Sequence, residues 1–400
     1  MKVMFIVQGE GRGHLTQAIT LAESLRAGGH EVTEVLVGRS ASRRLPSFFE
    51  ERIAAPVRRF ESPNFLPTAR NKRSHVARSV AYNVCRLHRY AASIVLLRRR
   101  IAASGADVVV NFYEPLTGLA YLCCPPDVPQ VSIGHQYLFL HSDFRLPPHS
   151  RLRMLPLLLF TYITGIGAAE RLALSFRSMD DDCSRRIRVM PPLLRGDVLR
   201  CRSRRGDYVH GYMVNAGFCE SVLRWHNEHA AVPLRFFWDR KGAAAVERVD
   251  ATLSFYYIDD KRFLESLAGC RAYATTAGFE SVCEAMYLGK PVLMVPAHVE
   301  QDCNAYDAAR CGAGIVDSDF RLDRLVAFAE TYERNDAFAA WARLGAVRIT
   351  TAIERIADMP RGNYGVLRPA ILRMKHTMRQ RAYSPKSLRH IALSLKQRLT

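Results

Sequence analysis

Short apolar runs recur along the chain, and each closes on a loop of glycine or polar residues. Val3–Val7 is the first, a continuous stretch of the kind that fills a strand buried on both faces of a parallel sheet. Glycines and polar residues follow through His14. Ile19, Leu21, Ala22 and Leu25 then repeat at helical spacing up to Gly28-Gly29, and a second run (Val32, Val35, Leu36, Val37) starts from Glu31. This pattern predicts strand, loop, helix, strand, the opening of a Rossmann-like half. Further strands are expected at Asp107–Asn111, Pro129–Ile133, Ala173–Phe176 and Arg188–Met190. Pro191-Pro192 breaks the alternation, and Cys201–Gly206 has the polar, basic composition of a linker. A second set is expected at Tyr208–Asn215, Leu234–Trp238, Ala272–Thr275 and Pro291–Val295, with a long helix near Asp336–Ala357. A chain of 400 residues exceeds one ordinary core. The expected fold is therefore α/β, with two Rossmann-like domains facing each other across a cleft. They would occupy residues 1–200 and 207–358, with a basic tail at 359–400.

Ligands of such sheets sit at the carboxyl ends of the strands, so the loops there are the places to look for chemistry. The most informative block runs from Thr275 to Asn304. It reads as a strand, a small-residue turn at Ala277-Gly278, and a helix beginning near Phe279. Backbone N–H groups at a helix N-terminus suit an anion such as a diphosphate. Ser281 is placed to add a hydroxyl donor, and Glu284 to accept hydrogen bonds from a ribose diol. After the Gly289-Lys-Pro291 turn and another strand, the next loop offers Glu300, Gln301, Asp302 and Asn304. Carboxylates and amides of this kind bind neighbouring sugar hydroxyls in pairs.

The block resembles the donor-binding signature of GT-B glycosyltransferases, the group that includes MurG-type N-acetylglucosaminyltransferases and plant UDP-glycosyltransferases. The resemblance implies that Gly278 and Ser281 hold the donor phosphates, Glu284 the ribose, and Glu300 with Gln301 the transferred sugar. Many relatives carry a histidine before the turn where this chain has Thr276. Backbone amides, or a basic residue from elsewhere, would then take over that phosphate contact.

Gln8-Gly-Glu-Gly-Arg-Gly-His14 follows the first strand. It matches a dinucleotide fingerprint poorly, having no third glycine at the right offset. It resembles instead the first glycine loop of MurG-type and related bacterial transferases. The resemblance implies that Gly11 and Gly13 lie beneath the donor phosphates and that His14 faces the acceptor as general base or orienting residue. A neutral imidazole has the pKa range for that work. Two further strand ends resemble positions of the same bacterial branch. Glu114, in Phe112-Tyr-Glu-Pro115, would orient His14 or act as the base. His135 and Gln136, after Gly134, would line the acceptor pocket.

Charge adds a second theme. Net charge is +19, and two segments account for all of it. Arg70–Arg100 has nine Arg/Lys and Arg361–Thr400 has ten, with no Asp or Glu in either. In the first, Val76, Val80, Val84, Leu87, Ala91 and Val95 follow three-to-four spacing. The segment resembles the basic-rimmed apolar patch by which MurG-type enzymes sit on the cytoplasmic leaflet, so an anionic membrane surface is an expected partner. Leu388–Leu399 reads as an interfacial amphipathic stretch of the tail. No nucleic-acid motif or aromatic stacking series accompanies the charge, and no nucleic-acid partner is expected.

Membrane spans and metal sites are not expected. Met154–Ala169 is interrupted by Pro156, Gly165 and Gly167 and falls short of a span. The ten cysteines have no C-x-x-C pair and suit free thiols in a reducing cytosol. An Asp-x-Asp motif of the type that holds a metal–diphosphate complex is not read in the chain.

Together these features predict transfer of a sugar from a nucleotide-sugar co-substrate, UDP-linked by resemblance, to an acceptor hydroxyl. By resemblance the transfer is inverting and without metal or other cofactor, and the acceptor is lipid-linked or part of the cell envelope. Such a protein would be cytoplasmic and peripheral to the inner face of the membrane. An epimerase or hydrolase of nucleotide sugars, or a non-catalytic binding module on the same fold, are the alternatives.

Overall fold

The computed structural model describes residues 1–40, 45–63, 81–123, 125–148, 151–214, 216–240 and 242–359. The first half contains β1 (Lys2–Gln8), α1 (Arg12–Ala27), β2 (Glu31–Arg39), α2 (Ser47–Ile53), β3 (Val57–Glu61), α3 (Leu87–Ala103) and β4 (Val108–Phe112). It continues with α4 (Pro115–Cys123), β5 (Gln130–Ile133), a 3-10 turn at His135–Leu140, α5 (Arg151–Thr164), β6 (Glu170–Leu174), β7 (Ile187–Met190) and α6 (Gly196–Arg200). The strands form one sheet in the order β3-β2-β1-β4-β5-β6-β7, with every pairing parallel. β1 fills its centre because Val3 to Val7 meet no water on either face.

The second half contains β8 (Val209–Met213), α7 (Cys219–Glu228), β9 (Leu234–Trp238), β10 (Val246–Arg248), β11 (Leu253–Tyr257), α8 (Asp260–Gly269) and β12 (Ala272–Thr275). Then come α9 (Phe279–Tyr287), β13 (Val292–Met294), α10 (Val299–Arg310), β14 (Gly314–Val316), α11 (Leu322–Thr331), α12 (Asp336–Arg343) and α13 (Gly345–Ala357). Its sheet runs β10-β11-β9-β8-β12-β13-β14, parallel except at β10. Each sheet reverses its strand order once, between β1 and β4 and between β8 and β12. Those two switch points are where loops separate and a ligand can enter.

α13 returns to the first half and lies against α1, β4, β5 and β7. Ile349, Ile353 and Ile356 are fully buried there. The helix starts at a glycine for a steric reason: a Cβ on Gly345 would lie 2.2 Å from the Pro192 carbonyl oxygen. His30 Nε2 to Glu354 at 2.9 Å and Trp341 Nε1–H to the Ser175 carbonyl at 3.1 Å stitch the same crossing.

Several expectations need correction. The helix expected over Asp336–Ala357 is two helices, divided at Leu344. Glu300 to Asn304 lie in the first turns of α10, not in a loop. β3, β10, β11 and β14 were not expected. In α3 the stripe read as apolar is the outer one: Leu87 and Val95 are 60% and 49% exposed, while Tyr90, Leu97 and Ile101 face the sheet. Arg70–Val80 and the tail Arg361–Thr400 lie outside the described residues.

Candidate functional site between the two halves

The turn after β12 carries the expected donor features in an unusual backbone. Ala277 has φ of +62° and is fully buried, so the chain holds a side-chain-bearing residue in the left-handed region immediately before α9. The residue after β4, Tyr113, does the same at φ +59°. Such conformations are kept only where surrounding packing imposes them, and here they flank the two switch points. Gly278 is the N-cap of α9 and has no side-chain cap, which leaves the helix's first N–H groups facing the seam between the halves. The Ser281 hydroxyl donates back to the Gly278 carbonyl at 3.2 Å. Thr276 is buried and accepts from Val214 N–H at 3.3 Å, tying the ends of β8 and β12 together.

From the first half, α1 begins directly after Gly11, its N-cap. His14, in the first turn, is 8% exposed and stacks on Tyr113 with centroids 5.4 Å apart. Its Nδ1 lies 3.3 Å from Gln17 Oε1 and its Nε2 3.4 Å from Gln136 Nε2. Gln17 in turn donates to Glu280 of α9 at 2.5 Å, and Gln136 donates to Glu300 of α10 at 3.1 Å. His135 Nε2 sits 3.2 Å from Glu300 Oε1, at ion-pair distance but outside hydrogen-bond geometry. Its ring stacks on Phe279 with centroids 4.5 Å apart and planes 4° from parallel. Thus His14, His135 and Gln136, expected on the acceptor side, meet Glu300, expected on the sugar.

The electrostatics follow from this crossing. Burial lowers the proton affinity of His14, while Glu280 and Glu300 pull it back up. Burial alone would raise the pKa of Glu300, but His135, with help from His298 and His14, holds it at about 2. Buried polar atoms without a partner among the described residues gather here: Gln136 Oε1, His135 Nδ1, Asn304 Oδ1 and Thr275 Oγ1. Such atoms are nearly always paired in proteins, and although others occur elsewhere in the described residues, those at this crossing leave polar groups for a ligand.

Three expected residues have different company. Glu114 is fully buried, and its carboxylate is taken by Ser62 Oγ at 2.6 Å and by Thr117 N and Oγ1 at 2.8 and 2.9 Å. It makes no contact with His14, and the expectation that it orients His14 is corrected accordingly. Burial pushes its pKa up against the pull of those donors. Glu284 forms a bidentate ion pair with Arg195 at 2.7 and 2.9 Å, sealed between the halves. A ribose at Glu284 would share that carboxylate with the guanidinium, whose own pKa the pairing raises. Gln301 uses its side-chain oxygen to accept from Ala297 N–H at 2.9 Å.

Two stretches do have Asp-x-Asp spacing, Asp180-x-Asp182 and Asp317-x-Asp319, and at least one carboxylate of each is held by neighbouring donors. In Asp180-Asp-Asp182, Asp182 accepts from Ser184 and Arg185, the middle Asp181 accepts from Val189 N–H, and the Asp180 carbonyl lies 2.9 Å from His141 Nε2. Asp317 is gripped by Arg321 and Arg324, and Asp319 accepts from Ser221. Among the described residues no group of His, Cys, Asp and Glu is arranged to hold a metal.

The halves are closed on each other. The hollow lined by His135, Phe139, Phe176, Phe279 and Asn304 measures only about 10 Å³. Small-molecule sites span roughly 300–1,000 Å³. A nucleotide sugar does not fit this hollow as it stands. Glu280 is the residue that sequence reading missed: its partner Gln17 lies 263 positions away, so no local pattern signals it.

Known proteins share this architecture. The model of the family described as "Glycosyl transferase family 1" matches residues 1–331. The structure is similar to the glycotransferase of kitacinnamycin, with a TM-score of 0.61 and 18% identity over 89% of this chain and 98% of that one. It is similar to the calicheamicin glycosyltransferase CalG4 at 0.59 and 16%, over 88% and 98% of the two chains. A third similar structure is UGT89C1 of Arabidopsis thaliana, at 0.58 and 14%, over 89% and 99%. No curated protein shows a significant match.

Proposed function

The chain belongs to glycosyl transferase family 1 and folds as a GT-B glycosyltransferase; on that premise we propose that it moves a sugar from a UDP-linked donor to an acceptor hydroxyl, with inversion. The observation that carries this reading is the meeting of His14 with Glu280 and Glu300 across the seam, at the carboxyl ends of both sheets. In this reading the donor diphosphate lies on the N–H groups of α9 with Gly278 and Ser281. Its ribose reaches Glu284 and its sugar Glu300 and Gln301. His14 Nε2 takes the acceptor proton as the acceptor oxygen attacks the anomeric carbon, and the diphosphate leaves with the bonding electron pair. His135 and Gln136 orient the acceptor. The reading requires neither metal nor a further cofactor, because the helix terminus and buried donors stabilise the leaving group. UDP fits by analogy with UGT89C1, solved with UDP, with UDP-L-rhamnose and with quercetin.

The outer face of the first half supports a lipid-linked acceptor at an anionic membrane surface. α3 exposes Leu87, Val95 and Leu96 among Arg89, Arg98 and Arg99, and α5 exposes Leu155, Leu159 and Tyr162. Among the described residues no helix is long and apolar enough to cross a membrane, so this surface would bind from one side, each nearby cation adding roughly 1 kcal/mol. The test is transfer of labelled sugar from a panel of UDP-sugars into a membrane lipid extract. The expected result is a labelled lipid product with the wild-type chain and none with His14→Ala. Free sugar released without any acceptor product would favour a hydrolase instead.

A further inference from the structure

Among the described residues, His14 has no carboxylate partner within its own half. Glu114, the obvious candidate from the sequence, is spent on Ser62 and Thr117. The groups that face the imidazole are Gln17 on its own helix, Tyr113 beyond β4, His135 and Gln136 of the 3-10 turn, Glu280 of α9 and Glu300 of α10. Arg12, on the same helix, is directed toward Asp260, 3.7 Å away. Both negative charges near His14 therefore come from the opposite half.

Glu280 acts through Gln17, whose amide must orient in one sense only. A carboxylate accepts and does not donate, so the Gln17 NH2 points at Glu280 and its oxygen at His14 Nδ1. That oxygen requires a proton on Nδ1, which leaves the lone pair on Nε2, the nitrogen turned toward Gln136 and the seam. We infer that Glu280 is a positioning residue for His14, selecting the tautomer with a basic Nε2, and that this base is completed only when the two halves close. The inference rests on the reading of His14 as the base. During transfer Nε2 gains the acceptor's proton, and the resulting Nδ1–H stays bonded to a glutamine polarised by Glu280. With the halves apart, Gln17 is free to turn over, and the imidazole loses both its fixed tautomer and its counter-charge. Proton removal is thus linked to the approach of α9 to the start of α1.

The glycine loop fits the same arrangement. A Cβ on Gly13 would lie 2.5 Å from Glu280 Oε2, whereas nothing lies within 4 Å of a Cβ on Gly11. Gly13 is therefore the position that admits the incoming carboxylate.

The test is NMR titration of the full chain labelled with ¹⁵N and ¹³C at histidine, with His14 assigned from the His14→Gln spectrum. Wild type is expected to show an unprotonated Nε2 in the neutral form. Glu280→Gln keeps an acceptor for Gln17 but removes the charge. It should preserve that tautomer and lower the His14 midpoint by on the order of 0.5–1 pH unit. Glu280→Ala should mix the tautomers as well, and Gly13→Ala should copy it while Gly11→Ala does not. Thermal melts confirm that each variant is folded. A His14 midpoint and tautomer unchanged in Glu280→Ala would overturn the inference. Failure of the base assignment is read separately, as sugar transfer that survives His14→Ala.

Discussion

His14 and His210 are both buried imidazoles near the centre of their halves, yet their surroundings drive them apart. His210, on β8, packs among Phe237, Phe263 and Tyr273 and shares one hydrogen bond, with Ser266 Oγ at 2.9 Å. Burial, reinforced by the charge of Arg235, drives its pKa down to about 3. His14 is also buried, though 8% exposed where His210 is fully covered, and Glu280 and Glu300 oppose the effect of burial on it. Burial drives both imidazoles below their usual pKa, and only at His14 do carboxylates supplied across the seam offset part of that shift. The contrast separates a packing residue from a chemical one without reference to any motif.

The sharpest way to break the comparison is to remove each ring. His14→Ala should lower sugar transfer by about 10²–10⁴-fold, the range of general base catalysis, with little loss of nucleotide binding. His210→Phe should leave the rate within a small factor, measured in the same assay. A comparable loss from both would erase the distinction.

The ion pair of Arg195 with Glu284 closes the same seam without a histidine. Arg195→Ala strands a buried carboxylate and should cost about 3–5 kcal/mol, read by denaturant unfolding. Arg195→Met with Glu284→Leu should recover most of that stability while weakening donor binding. Recovery of both would remove Glu284 from the donor site.

Acid titration sharpens the histidine contrast further. His210 has a folded pKa of about 3 against 6.5 in the unfolded chain, so unfolding takes up a proton between those values. Its stabilising contribution is complete above pH 6.5 and is lost as pH falls toward 3. Melting temperature should therefore fall over that window in wild type and fall less steeply in His210→Phe. The smallest effect is expected at the outer face of α3. Arg98→Glu with Arg99→Glu should weaken sedimentation with phosphatidylserine vesicles by roughly 1 kcal/mol per lost cation. The melting temperature should not move.

Much of the frame was legible because buried parallel strands are written as unbroken apolar runs. β9 and β12 match their expected limits for that reason. β3, Val57-Arg-Arg-Phe-Glu61, is half solvated at the sheet edge, and its charges hide it. α3 was harder, since it has two apolar stripes and only packing shows which one faces the sheet. In the site, the β12–α9 turn was readable as a local motif. The attachments of Glu114, Glu280 and Glu284 were not, because Ser62, Gln17 and Arg195 reach them only through the fold. Sequence proximity shows what a turn can bind, whereas the seam decides which carboxylates remain for chemistry.

The central claim is that the β12–α9 turn holds a nucleotide-sugar diphosphate. Thermal unfolding of the full chain with UDP-, GDP- and dTDP-sugars tests it directly, since a ligand at a hundred times its Kd stabilises by about 2.7 kcal/mol. The account predicts a clear rise in Tm with the UDP-sugars, abolished when Gly278→Pro removes the N-terminal amide geometry and retained in His210→Phe. No rise with any nucleotide sugar, or a rise that survives Gly278→Pro, would contradict it.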